Sequence, residues 1–309
     1  MSFIDKLRAK KDSLKQSSVD TYIRNVKRIR KVVGDLPIPP KDYKWLVSPK
    51  LLKWYDDQTL NVQRPMASAA GIALAVYDKK SQEWRSRQRK AMEQYDQNRR
   101  KRRLTDKQKA KMPEKGFDSL KKVITQMKKE LKHVISKIET MADLLRVQDL
   151  LILSLYYDIP LRLDYATLQT EKSDSKNCIF KQKRPSGWFL ELHDFKTSKS
   201  LGSKKFKMNQ SNQRLLNKFV PAKNRLTDHG FLLTNKKGNK MSKQVLSKTL
   251  MKITKARLGH NFSVQLLRIL YAMRNRDVIE TAKEVSDKLL HSAKQSLEYT
   301  KKDQKKSKA

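Results

Sequence analysis

A single cysteine, Cys178, occurs in 309 residues, which excludes an intramolecular disulfide framework and any cysteine-based zinc cluster. The five histidines are scattered without a His-x-x-x-His pair, so neither a structural metal nor a cofactor is expected. Long apolar runs are also missing. A membrane-spanning helix needs about 18 consecutive apolar residues, and the best run, Leu150 to Tyr157, is far shorter. The N-terminus, Met-Ser-Phe-Ile-Asp-Lys, lacks the apolar block of a secretory signal. Acidic residues are scarce: 31 Asp and Glu stand against 71 Lys and Arg, for a formal charge of +40.

No globular fold needs that cationic excess, and self-repulsion works against compactness. The natural partner is a polyanion, because each neutralised phosphate releases condensed counterions. An anionic membrane surface is the competing partner, and nucleic acid is the favoured one. The length suffices for two domains, each with a core of ordinary size.

The hydrophobic pattern predicts a mainly α protein with one small sheet. After a polar, basic start over 1–16, a helix is expected from Ser17, with Tyr22, Ile23, Val26 and Ile29 at helical spacing. It ends at the proline-rich stretch Pro37-Ile38-Pro39-Pro40. A short helix following Ser48-Pro49, signalled by Trp45, Leu46, Leu51, Leu52, Trp54 and Tyr55, an alanine-rich one over 62–77 and a polar one over 81–98 complete an all-helical domain over residues 1–98. Residues 99–115 hold nine cations against two acids and read as a basic linker, suited to a phosphate backbone or to nuclear localisation. From 116 to 300 the pattern changes. Leu120 to Ile138 recurs at three and four as an amphipathic helix, and a buried helix follows through Tyr157, broken at Asp158-Ile159-Pro160. Three strand signals come next, at Cys178–Phe180, Trp188–Leu192 and Lys205–Met208, as an antiparallel ribbon. Helical patterns resume at 211–220, 242–258, 264–273 and 281–290, and residues 301–309 form a basic tail.

Several residues in this second region fit a phosphate-attacking site. Metal-free attack on a phosphodiester needs a nucleophile, cations for the non-bridging oxygens and an acid for the leaving oxygen. Tyrosine can be the nucleophile, paired arginines the clamp and lysine the acid. Arg162 lies directly after the buried helix and a proline, where a charge needs a partner. In isolation each of the others has an ordinary role: Arg268 a snorkelling surface residue, His291 a satisfied histidine, Lys196 one lysine among many, Tyr299 a half-buried aromatic.

Their order along the chain resembles the tyrosine recombinases, or phage-type integrases, over about Ser17 to Tyr299. The segment Tyr157-Asp158-Ile159-Pro160-Leu161-Arg162-Leu163-Asp164-Tyr165 is similar to the box carrying that family's first catalytic arginine, which implies Arg162. Phe195-Lys196-Thr197 resembles the hairpin position of the catalytic lysine, implying Lys196. Gln265-Leu266-Leu267-Arg268 sits where the family shows His-x-x-Arg, implying Arg268 with Gln265 in the histidine's place. Leu290-His291-Ser292 with Tyr299 resembles the closing box, implying His291 as a phosphate contact and Tyr299 as nucleophile. Three departures stand out: Gln265 for histidine, Tyr165 where a carboxylate is usual, and Leu290 for glycine. The Arg-Leu-Asp-Tyr sequence looks most like integrases of large DNA viruses, virophages and mobile elements.

The resemblance implies a helical core-binding domain joined to a recombinase-type catalytic domain, the two clamping double-stranded DNA from opposite sides. It implies strand exchange through a 3′-phosphotyrosyl intermediate by a homo-oligomer, dimer or tetramer, with no membrane partner. The place of action is then intracellular, on DNA, with a host nucleus or a viral replication compartment among the options. Three alternatives stay open: a type IB topoisomerase-like relaxing enzyme, a non-catalytic DNA-binding protein that kept the fold, and a basic packaging or RNA-binding protein.

Overall fold

The computed structural model describes residues 2–10, 14, 16–101 and 103–288. The chain divides into two compact units, Met1–Leu104 and Thr105–Ala309.

In the first unit, α1 (Phe3–Lys10), α2 (Gln16–Val33), α3 (Pro49–Asp56), α4 (Leu60–Val76) and α5 (Gln82–Arg100) enclose one core. The segment 1–16, read as basic and polar, contains a real helix because Phe3 and Leu7 recur on one face and bury there. Val19, Ile23, Val26 and Ile29 form the buried stripe of α2. The alanines of α4 (Ala67, Ala69, Ala70, Ala73) are fully buried, and their small size lets neighbouring backbones approach closely. Helix α3 follows Ser48-Pro49 as expected, since the Ser48 hydroxyl caps it and Pro49 opens it, while Trp45 and Leu46 lie in a separate 3₁₀ turn over Lys44–Val47. Trp84 seals the core: its indole donates to the Leu46 carbonyl at 2.6 Å, and its ring meets Tyr55 edge-on at 5.0 Å.

The basic run is only partly irregular. Helix α5 continues to Arg100, two residues into it, and a Thr105–Gln108 capping box starts the short α6 (Asp106–Lys109).

The second unit is built on α9 (Met141–Asp158), which a Thr140–Asp143 capping box begins and which buries ten of its residues. Helices α7 (Asp118–Glu130), α11 (Gln210–Leu226) and α12 (Lys243–Leu258) pack around it. The amphipathic stretch expected as one helix to Ile138 breaks at Leu131 and resumes as α8 (Lys132–Ser136). Gln148, buried on α9, clamps Thr234 by both backbone groups, with its amide donating to the carbonyl at 2.9 Å and accepting from the N–H at 2.8 Å.

The sheet has the order β1-β2-β3, with β1 (Cys178–Gln182), β2 (Gly187–Leu192) and β3 (Lys204–Lys207) all antiparallel. Cys178 lies opposite Glu191, and Phe189 opposite Lys207. Strand β2 is buried on both faces, so alternation hardly shows in its sequence. Trp188, Leu190 and Leu192 join the main core, while Phe189 packs with Cys178 and Phe180. The Lys205 ammonium covers that second patch, 4.8 Å from the Phe189 ring centre. Between β2 and β3 lies one more helical turn, α10 (Ser198–Leu201), in a connection expected as a plain turn. Helices α13 (Val264–Arg274) and α14 (Arg276–Lys288) complete the described chain. Helix α14 starts some five residues before its expected position.

Candidate active site

Two buried tyrosines shape the loop that carries Arg162. Helix α9 stops at Ile159-Pro160, where the Ile159 N–H makes its last bond, to the Leu155 carbonyl at 2.8 Å. The Tyr165 hydroxyl ties down this end as a further donor, to the carbonyls of Leu155 at 3.1 Å and Ile159 at 2.7 Å. Tyr156 meets Tyr165 edge-on at 5.0 Å and donates to the carbonyl of Arg162 at 2.7 Å. Both rings are buried, and burial pushes both phenols above their ordinary range, so they stay neutral donors. Tyr165, the departure from the usual carboxylate, therefore takes a backbone-holding role. The Arg162 side chain is left exposed.

The second arginine arrives from α13. Gly259, in the left-handed conformation at φ +76°, closes α12. The Thr254 hydroxyl then accepts from Phe262 N–H at 2.9 Å, and Ser263 caps α13. This leaves Gln265 exposed and turns Arg268, half-buried, toward the end of α9, where Nη1 donates to the Pro160 carbonyl at 2.9 Å. Burial, and next the charge of Arg162, lower the Arg268 pKa from its ordinary value. The charge of Arg162 disfavours that of Arg268, and an anion beside Arg268 would relieve it.

A carboxylate and a lysine absent from the sequence-based set complete the surroundings. Asp164, half-buried, is raised by burial, while Lys243 and Arg162 pull it down and Asp194 pushes it up. Lys243 opens α12, where the helix dipole disfavours a cation. That mismatch is the one sequence signal that could have singled it out. Asp194 belongs to the β2–β3 connection, two residues before Lys196, which is exposed. The root of this connection is pinned by Asn177, whose amide oxygen accepts the N–H groups of His193 (2.8 Å) and Asp194 (2.9 Å). Its amide nitrogen donates to the Asp194 carbonyl at 2.7 Å. Asn177 is 5% exposed and was not legible as a site residue.

The structure thus sets the Arg268 guanidinium against the Pro160 carbonyl, two residues before Arg162, and Asp164 within the electrostatic reach of Asp194 at the root of the Lys196 connection. Gln265 stands one helical turn before Arg268 on α13, and His291 and Tyr299 lie outside the described residues. Among the described residues no group of three His, Cys, Asp or Glu side chains could hold a metal ion. None of their helices is long and apolar enough to cross a membrane.

Neither a protein-family profile nor a curated sequence matches the chain. Solved structures do. The XerH site-specific recombinase bound to its difH substrate in a pre-cleavage complex aligns over 93% of this chain and 76% of its own, with TM-score 0.51 and 14% identity. A lambda integrase dimer bound to a COC′ core site aligns over 99% of this chain and 96% of its own, with TM-score 0.50 and 14% identity. The fold is that of the tyrosine recombinases. At 14% identity the likeness to these recombinases is one of architecture, and the chemistry rests on the residues described above.

Proposed function

We propose that the protein is a site-specific DNA recombinase or integrase that breaks and rejoins DNA through a covalent 3′-phosphotyrosyl intermediate. The observation that carries this reading is the Arg268 guanidinium on the Pro160 carbonyl, two residues before Arg162 at the end of α9, where the two cations together favour an anionic ligand. The surplus of cations and the recombinase fold support DNA as that ligand.

In this mechanism the Tyr299 hydroxyl oxygen attacks the scissile phosphorus. A tyrosyl O–P bond forms as the P–O5′ bond breaks. Arg162 and Arg268 hold the two non-bridging oxygens through planar, always-charged donors. Gln265 supplies an amide N–H in place of an imidazole, and His291 a further phosphate contact. Lys196, carried on the exposed β2–β3 connection, gives its proton to the departing 5′ oxygen. A 5′ hydroxyl from a partner duplex then attacks the phosphotyrosine, re-forming a phosphodiester and releasing Tyr299. The basic stretch 99–115 joins the units as they grip the duplex, and a homo-oligomer supplies the second duplex.

The test is a nicked suicide substrate that traps the covalent step. The wild-type protein is expected to form a DNA adduct at Tyr299, and Tyr299→Phe to bind the same DNA without forming one. Adducts that persist in Tyr299→Phe overturn the nucleophile, and none with any candidate site leaves a DNA-binding protein of recombinase fold.

A further inference from the structure

Away from the arginine pair, a groove runs along the N-terminal end of α11 between α7, α8 and α9. It consists of two adjoining cavities of about 360 and 550 Å³ that share Lys128, Gln210 and Ser211. The wall cations are Lys121, Lys128, Lys132, Arg214 and Lys218, and no acidic residue lines either cavity among the described residues.

Several features make this more than a basic surface. Helix α11 has 17 residues, and Asn209 caps it by accepting from Asn212 N–H at 2.9 Å. The first two N–H groups, of Gln210 and Ser211, have no intrahelical acceptor and carry the positive end of the dipole. Beneath them lies Ser154 of α9. It is 4% exposed, its hydroxyl has no hydrogen-bond partner, and it lines the smaller cavity beside Asn209 and Asn212. An orphaned hydroxyl in a packed helix costs stability unless something fills its place. Lys128 is half-buried and donates to the Ser211 hydroxyl. Burial first, and then the charge of Arg214, lower its pKa. A neighbouring carboxylate, Asp158, is engaged by the Asn209 N–H (3.3 Å) and the Asn212 amide (2.9 Å) and lines neither cavity.

We infer that this groove is a second anion site, taking a phosphate-type oxyanion on the Gln210 and Ser211 N–H groups, the Ser154 hydroxyl and the Lys128 ammonium. Arg214 and Lys132 stand beside it as outer cations. Its chemistry is binding alone, and it does not depend on Tyr299.

The probe is inorganic phosphate, titrated at constant ionic strength against chloride into the full chain, with backbone amide NMR as the readout. The Gln210, Ser211 and Asn212 resonances are expected to shift saturably. Ser154→Ala and Lys128→Met are each expected to weaken the fitted affinity roughly tenfold, the worth of one charge-assisted hydrogen bond. In phosphate-free buffer Ser154→Ala should be at least as stable as the wild type, since it deletes an unpartnered group. That keeps a folding defect separate from a binding one. Shifts that fail to saturate, or saturate identically in both variants, overturn the site. A second titration after saturation with duplex DNA separates the sources. A lost response identifies backbone phosphate as the occupant, and a preserved one identifies free phosphate or a small phosphate ester.

Discussion

Asp149 shows how one buried charge can set a pH dependence. On α9 it is half-buried, and burial pushes its carboxyl up from 3.8 to about 6 against the pull of Lys252, Arg257 and Lys236. Between those two values the native protein binds more protons here than the unfolded chain does. Stability therefore falls as pH rises through that window, and the deficit is complete above about 6. Asp149→Asn should recover on the order of 2 kcal/mol at neutral pH and nothing at pH values below the window. Urea unfolding of both proteins at acidic and neutral pH measures this directly. Among single residues, Arg162 and Arg268 were singled out in the sequence by their order and by the boxes they resemble. Asn177 and Lys243 escaped notice because their roles rest on contacts across the fold. A buried asparagine that binds three backbone groups looks like any loop asparagine until β1 and the β2–β3 connection are side by side.

At the scale of elements, periodicity was a good guide where one face is buried. It succeeded for α2, α7 and α13, whose apolar positions recur at three and four. It failed at joints. The break at Leu131 and the early start of α14 leave the apolar spacing unchanged, so periodicity does not reveal them. The β2–β3 connection is the element on which the candidate chemistry most depends, and Asn177 holds its root. Asn177→Ala should lower stability by about 1–3 kcal/mol, because buried backbone N–H groups lose their acceptor. If Lys196 acts from this connection, adduct formation on the nicked substrate should slow while DNA affinity stays close to wild type. An equal loss in both would assign Asn177 to folding alone.

At the scale of the whole molecule, charge dominates. The chain carries +40, and among the described residues most cations lie on exposed side chains, where salt screens them over about 10 Å at 0.1 M. DNA affinity should therefore fall linearly in log–log form with salt, with a slope of about −0.9 for each phosphate neutralised. Fluorescence anisotropy with a labelled duplex across a salt series gives that number. Arg268→Ala should reduce the slope by about one phosphate contact at most, far less than its effect on cleavage. Composition pointed to a polyanion partner; where an anion would sit it could not convey, because cations are spread along the whole chain.

Helix α5 carries a consequence of a mechanical kind. Trp84 and Ala91 are its buried residues, and the last partly covered side chain is Tyr95, stacked under Arg64 at 3.8 Å. From Asp96 to Arg100 every side chain is exposed, so that turn is held by its own hydrogen bonds and little else. Such a terminus is a reservoir of length. A residue leaving the helix extends its reach from about 1.5 Å to about 3.3 Å, so five residues release on the order of 9 Å. The link out of α5 can thereby lengthen at the cost of one turn. Hydrogen exchange should show it: amides around Trp84 exchange slowly, those beyond Tyr95 quickly, and duplex DNA should change only the latter.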